Sequence, residues 1–536
     1  MTFNSDINHN TSAEVNTQIS SYFDIVDNSI AMSDTNKKYV IDAQASYSPS
    51  APIHAGSFTT FIISPTSDNT ADLYNGFIKA TFKIHFRINK AISDLSSVMK
   101  KYKLNTIWVG FKDSMDAVEK YEILSNGVSI YTQNNGPEES FLTACGANET
   151  AKRADVYSKV RHKDIFNRKF DLARCGEFVE IDTTTDLNEI EIPIKIDLRR
   201  FLPLSNIKYL PAFAGKFELK IMFSTIGLVW CPVGIPTELK NNIPDLTKLV
   251  IPDITNEFTQ IGDSAVMWVS SSTAESSGIT TLTADSRTVY VDRDYEINNT
   301  YTIIPNFGID NDIYSRLVQR YTNSDTPLIF PTQTLQFHSL SKQLTNKGPF
   351  TSMVNITPRF IDSIFFLFPY KTSHHTIFKN PLFNNFQLRC GSYGAIPSIP
   401  IRTAGKDPAF IEICQNAMNV NADQTGFNKE VINSLCNTYD MTKSTGLTSN
   451  DRTSFFIGLP TETDNTFQQG QTSNTPINYE IIGDIASDST YGKSNQTPPL
   501  IAVLNDTIIA ISVQPNGMPP IVQLSILDIT SRQMTS

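Results

Sequence analysis

From Phe77 to Ile88 the chain reads FIKATFKIHFRI, with Ile78, Ala80, Phe82, Ile84, Phe86 and Ile88 on one side of a strict alternation and Lys79, Lys83, His85 and Arg87 on the other. A period of two sends successive side chains to opposite faces of an extended backbone, so this stretch predicts a strand with one dry and one wet face. The rhythm returns at Ile192, Ile194, Ile196 and Leu198, and again at Phe217, Leu219, Ile221 and Phe223. Within YEILSNGVSIY, Asn126-Gly127 stands between apolar runs and readily supplies the positive φ angles of a tight hairpin turn.

The second half offers the same events in the same order. FQLRCGSYGAIP has its turn near Gly391, RTSFFIGLP centres on Phe455 and PINYEIIGD on Tyr479. Gly391 lies 265 residues beyond Asn126, Phe455 263 beyond Ile192 and Tyr479 260 beyond Leu219. Between hairpin and next strand each half carries a long insertion with helical signals, ANETAKRADVYSKVRHKDIFNRKF and KDPAFIEICQNAMNVNADQTGFNKEVINSLCNTY. In the latter Asp407 can cap a helix and Pro408 fits its first position. Ile411, Cys414 and Met418 then share a face, as do Val431 and Leu435 later. The stretch 236–294 is rich in Pro, Ser and Thr and lacks sustained alternation, which reads as a connector. The expected organisation is an N-terminal arm over 1–34, a first domain over 35–235, the connector over 236–294 and a second domain over 295–536. Both domains are expected to be all-β sandwiches of the jelly-roll kind with helical loop insertions.

Three parts of the chain together resemble the double-jelly-roll major capsid proteins, the lineage of adenovirus hexon, virophages and Polinton-like elements. They are IPIKIDLRRFLPLSNIKYLPAFAGKFELKIMF, the paired hairpin and insertion of each half, and the closing PPLIAVLNDTIIAISVQPNGMPPIVQLSILDI with Asn516-Gly517 at its turn. The resemblance spans nearly the whole chain and is one of architecture. It implies two barrels side by side and three chains forming a pseudo-hexagonal capsomer that tiles an icosahedral shell. Residues 132–175 and 400–445 would then be towers or inter-subunit segments. The implied partners are further copies in a homotrimer, neighbouring capsomers and other capsid proteins such as a penton, and the implied location is the virion. Two alternatives stand beside this reading: a single-jelly-roll viral coat protein whose second half is a projection domain, and a carbohydrate-binding or hydrolytic β-sandwich. The latter calls for paired carboxylates beside aromatic platforms. The three tryptophans, Trp108, Trp230 and Trp268, sit in no aromatic-acid cluster.

Length and charge sharpen the picture. At 536 residues, two hydrophobic cores are expected rather than one. A formal net charge of −10 argues against a chain whose task is to neutralise phosphates, so no sequence-specific nucleic-acid binding is expected. The arm carries Asp6, Glu14, Asp24, Asp27 and Asp34, while Tyr22, Phe23, Ile25 and Val26 form a small apolar anchor for a neighbouring surface. No apolar run approaches the ~20 residues that span a bilayer, and no tripartite secretory signal is present, so synthesis inside a host cell is expected. Six widely spaced cysteines with no C-x-x-C pair predict reduced thiols.

The chain offers few groups arranged for chemistry. His374-His375 are adjacent and would point apart on a strand. Ser264 follows Gly262 in IGDSAV, but Val266 replaces the second glycine of a nucleophile elbow. PIRTAGKDP has Pro400 and Asp407 where a phosphate-binding loop needs Gly and Ser or Thr. No catalytic residue, metal or cofactor is expected. The strongest charge concentration runs from Lys152 to Arg174. There Arg161, Lys163, Arg168 and Lys169 are candidate contacts to an acidic surface of a neighbouring subunit bearing Glu412, Asp423 and Glu430. A solvated face is the alternative. The apolar bridge from Phe201 to Phe213 is the expected trimer surface.

Overall fold

The computed structural model describes residues 40–44, 53–65, 69–88, 106–111, 113–146, 175–180, 187–225, 227–232, 259–260, 264–269, 285–291, 294–309, 311–323, 327–344, 348–357, 361–369, 378, 380–390, 395–404, 407–418, 455–461, 477–485, 498–514 and 519–526. The first barrel is built from β1 (Val40–Gln44), β2 (Ile53–His54), β3 (Phe58–Ile63), β4 (Asn69–Asp72), β5 (Phe77–Ile88), β6 (Thr106–Phe111), β7 (Val118–Ser125), β8 (Val128–Gln133) and helix α1 (Gly136–Gly146). It continues with β9 (Cys175–Glu180), β10 (Leu187–Asp197), β11 (Tyr209–Pro211), β12 (Phe217–Phe223), β13 (Val229–Pro232), β14 (Thr259–Gln260), β15 (Ser264–Val269), β16 (Asp285–Val291) and β17 (Glu296–Gly308). Helix α2 (Asn311–Asn323) leads to the second barrel, made of β18 (Leu328–Ser339), β19 (Gly348–Ile356), β20 (Ile361–Leu367), β21 (Phe383–Cys390), β22 (Ala395–Ile401), helix α3 (Pro408–Ala417), β23 (Phe456–Pro460), β24 (Ile477–Ile485), β25 (Leu500–Ser512) and β26 (Ile521–Ile526).

In the second barrel the two antiparallel sheets run β18-β25-β20-β23 and β19-β24-β21-β22. With the strands from β18 to β25 lettered B to I in chain order, these are B-I-D-G and C-H-E-F, the strand order of a jelly roll. The first barrel repeats it. Its C-H-E-F sheet is β3-β12-β7-β8. Its I strand, β17, takes β1 and β2 on one side and β4 and β5 on the other, with β10 beyond β5. Here the D strand is split, since Ala71 of β4 and Phe77 of β5 lie opposite Asn306 and Ile303 of the same β17. In the second barrel the corresponding length of β25 pairs instead with β26, which returns from the C-terminal side.

The cores follow the alternation. Ile78, Ala80, Phe82, Ile84 and Phe86 are fully buried, and Phe82 meets Phe111, Phe223 and Tyr295 with ring centroids 5.2, 5.7 and 5.3 Å away. The Tyr295 hydroxyl donates to the Ser224 carbonyl, so its buried polar end is satisfied. Phe366, Phe383 and Phe386 occupy the second core, with Phe386 5.0 and 5.1 Å from the other two. Cys145 and Cys414 are buried, and burial pushes the Cys414 thiol up to about 12.

Three expectations change. The first barrel does not end at 235: the stretch 236–294 is an insertion between strands H and I, and β17 completes the first barrel at Gly308. The inward positions of β17 include Thr300, Thr302 and Asn306, so the apolar alternation that would have revealed it is missing. The helical signals of ANETAKRADVYSKVRHKDIFNRKF lie outside the described residues; the helix described in that interval is α1, just upstream. The unit from Ile190 to Phe223, which through the resemblance stands for the closing strands of the first barrel, contributes β10 and β12 to opposite sheets and is followed by β17. The bridge between them is interior: Phe201, Leu202, Leu204, Ile207 and Leu210 are buried within the chain, and Phe213 stacks on Tyr321 of α2 at 5.9 Å. It is therefore not a trimer surface.

Candidate functional site

Antiparallel strands carry every second loop to the same end. Leu187, which begins β10, lies opposite Arg87 near the close of β5; Glu296, which begins β17, lies opposite Lys83; Phe223, which ends β12, lies opposite Val118 at the start of β7. The three longest intervals of the first barrel, 89–117, 134–186 and 224–295, therefore leave from one end. They pair with one another there. β6, β9 and β13 with β14 come one from each interval and form a separate sheet, β14-β13-β6-β9, while β16 adds to the end of β5 through Val289 opposite Ile88. At the other end β7 and β8 turn through Asn126 and Gly127 alone, at φ 50° and 80°, as the pair predicts.

The two barrels meet edge to edge. β8 is the outer strand of the first C-H-E-F sheet, and β18 is the outer strand of the second B-I-D-G sheet. The Tyr131 hydroxyl and the Gln133 side-chain amide both donate to the Leu335 carbonyl, at 3.2 and 3.1 Å. The Thr332 hydroxyl donates back to the carbonyls of Leu202 and Pro203, at 3.1 and 2.9 Å. Asn126 at the hairpin tip donates to the Pro520 carbonyl at 3.0 Å, just ahead of β26. Apolar groups cross in both directions. Phe141 of α1 packs 4.4 Å from Phe378 in the second core, and Ile509 and Ile511 of β25 belong to the first core.

Glu139 holds the centre of this junction. Its carboxylate accepts from the Tyr121 hydroxyl (2.7 Å), the Gln133 amide (2.7 Å) and the Leu202 backbone N–H (3.2 Å), and it is completely buried. Burial raises its pKa to about 7 against the pull of those donors and of Arg200, which itself pairs with Asp113 at 3.0 Å. The same burial and the neighbouring carboxylate push Tyr121 and Tyr131 well above the ordinary phenol range. Sequence reasoning passes over this residue. Gly136-Pro137-Glu138-Glu139 after the hairpin does carry a helix-start signal, with Pro and two acids in the first turn.

Of the residues expected to make subunit contacts, Glu412 is exposed on α3. Arg161, Lys163, Arg168, Lys169, Asp423, Glu430, Tyr22 and Phe23 lie outside the described residues, as do His374 and His375. Asp407 does cap α3, accepting from the Ala409 N–H at 3.1 Å, with Pro408 at the first helical position. Ser264 opens β15 opposite Tyr290, in a strand rather than at a strand-to-helix elbow. Among the described residues no cluster of three or more His, Cys, Asp and Glu could hold a metal, and no helix is long and apolar enough to cross a membrane.

No family model matches the chain, and no curated protein matches it. Among solved structures the chain is similar to the mavirus major capsid protein (10% identity, TM-score 0.47, covering 94% of this chain and 92% of that one). It is also similar to a chain of the Sputnik virophage (12%, 0.46, 94% of both chains) and to one of the PBCV-1 virus capsid (9%, 0.41, 92% and 98%). The fold assignment rests on the strand order of the four barrel sheets.

Proposed function

We propose that this chain is a viral major capsid protein, a structural and non-enzymatic shell component that works as a homotrimer and meets neighbouring capsomers and a penton-type protein in the virion. The observation that carries the reading is the pairing of two jelly rolls of one strand order, locked edge to edge through a buried junction, with the long insertions of the first gathered at one end. A shell subunit needs rigid walls that present edges to neighbours and one end free to vary. A hydrolase needs a convergent set of acid, base and binding groups. The basic stretch containing Arg161, Lys163, Arg168 and Lys169 is read as a contact to acidic residues of a neighbour, with Glu412, Asp423 and Glu430 as its counterparts. The arm with Tyr22 and Phe23 is read as a tie between trimers. Purified chain is expected to have the mass of a trimer and to give six-lobed rings in negative-stain images. A monomer that persists at micromolar concentration under assembly conditions defeats the proposal.

A further inference from the structure

At the hairpin end of the first barrel, away from its long insertions, three cations lie over three rings. The Arg199 guanidinium is 5.1 Å from the centroid of Tyr74, the Lys195 ammonium 4.9 Å from Phe77 and the Lys79 ammonium 5.4 Å from Tyr301. They form one patch, since Lys79 stands opposite both Lys195 and Tyr301 in the sheet and Phe77 stands opposite Asp197. Phe77, Lys79, Lys195 and Tyr301 alternate with the buried Ile78, Ile196 and Thr302, which puts the patch on the outer face. Tyr74 is 47% exposed there and the Arg199 side chain 36%. Asp197, itself buried, pairs with Lys195 at 2.8 Å and with Arg199 at 3.4 Å, so one carboxylate serves two of the three cations.

We propose that residues 22–27, YFDIVD, dock on this patch of the chain's own first barrel, with Asp24 and Asp27 against the cations and Tyr22, Phe23, Ile25 and Val26 against the rings. The arm enters the barrel beside the patch. Val40, the first residue of β1, lies opposite Asn306, and Asn306 lies opposite Ala71 on the other side of β17. At about 4.8 Å per strand, that entry point is about 10 Å from β4, whose chain runs on into Tyr74 and Phe77. Thirteen residues lead from Asp27 to Val40. Extended, they span up to about 43 Å, ample for the segment to turn back onto the outer face.

Charge selects this occupant. Residues 1–36 hold five carboxylates and no Lys or Arg, and Lys37 and Lys38 follow only at the entry to β1. Of the five, Asp24 and Asp27 are the two set among apolar side chains, which matches a surface where cations and rings alternate. A cation held over a ring keeps its outward side available to a carboxylate. Each such surface pair is weak, but a tether of this length holds the segment at an effective concentration in the millimolar range, so weak pairs suffice. The contact lies within one chain and does not depend on the trimer reading. Passed to the same patch of a neighbour in the shell, the segment would serve as the tie between trimers.

Two measurements test this. Photo-crosslinking benzoylphenylalanine in place of Phe23, in the otherwise unchanged full chain, is expected to join residues 74–79 or 195–199 within a single chain, as mapped by mass spectrometry of the one-chain band. Crosslinks that land elsewhere, or that reach those residues only in two-chain products, overturn the contact. Chymotryptic cleavage after Tyr22 and Phe23, corrected for cleavage of the matching free peptides, is expected to be about 5-fold faster in the Asp24→Asn, Asp27→Asn double variant at low salt. At about 0.5 M salt the wild-type rate is expected to approach that of the variant. Equal corrected rates at every salt overturn the contact as well. A wild-type chain that stays monomeric but gives the one-chain crosslink removes the trimer reading and leaves this contact in place, so the two fail separately.

Discussion

Gln133 of the first barrel donates its side-chain amide at 3.1 Å to the main-chain carbonyl of Leu335 in the second, and at 2.7 Å to the buried carboxylate of Glu139. One side chain thus satisfies acceptors on both sides of the junction. Gln133→Ala is expected to take one donor from each, leaving Leu335 with the Tyr131 hydroxyl and the buried Glu139 carboxylate with Tyr121 and Leu202, at a cost of about 1–3 kcal/mol. Denaturant midpoints of the two proteins, compared at equal slope, measure it. Because each barrel contributes residues to the other's core, the wild-type barrels are expected to unfold in one calorimetric transition, and the variant is expected to broaden or split it.

Glu139 gives the junction a pH dependence. The folded chain holds the proton up to about pH 7, whereas an unfolded carboxyl releases it near 4.5. Between those values the folded state binds more protons than the unfolded, so the contribution is full below about 4.5, falls as pH rises and is gone above about 7. The span is about 3 kcal/mol. Urea unfolding of wild type and Glu139→Gln from pH 5 to 8 is expected to show the difference between them drifting in that direction. Parallel curves would mean that the buried carboxyl keeps an ordinary pKa.

Removing residues 519–536 deletes β26 and uncovers Ile509 and Ile511, which line the first core. Losing the partner of six β25 residues together with that apolar cover is expected to lower the melting temperature by several degrees or to abolish soluble expression. A truncated chain with unchanged melting would show that β26 contributes nothing to the union of the barrels.

Charge reversal at Arg161 and Lys163 to Glu is expected to weaken assembly, and most at low ionic strength, where screening is least. Light scattering of assembling wild type and variant across a salt series reads the effect. Identical curves at every salt reduce the segment to a solvated face.

Deleting residues 1–30 is expected to leave both barrels folded and the trimer intact while weakening contacts between trimers. Circular dichroism and sedimentation of the truncated chain separate the two effects. Loss of folding would place Tyr22 and Phe23 in the first core.

The strands that were legible are those whose inward residues are apolar. β5, β10 and β12 could be read directly, and the Gly391, Phe455 and Tyr479 landmarks correspond to the E–F turn, strand G and strand H of the second barrel. β17 hid because Thr300, Thr302 and Asn306 face inward, and with it hid the true end of the first barrel. The bridge from Phe201 to Phe213 shows the opposite failure. Its apolar residues were read as an interface between chains, because sequence reports that a surface is buried and not what buries it. Glu139 was silent for a related reason: its partners Tyr121, Gln133 and Leu202 come from three elements that only the tertiary fold brings together.

The crossing of β25 and β26 into the first core has a consequence for biosynthesis. Phe330, the last residue of that core ahead of β25, leaves the ribosome about 180 residues before Ile511, an interval on the order of ten to forty seconds at ordinary elongation rates. Throughout it the first barrel waits with part of its lining unfilled. A nascent chain, or one cut short by premature termination, lacks the finished wall, so only a completed polypeptide can offer a neighbour the surface on which a lattice could grow.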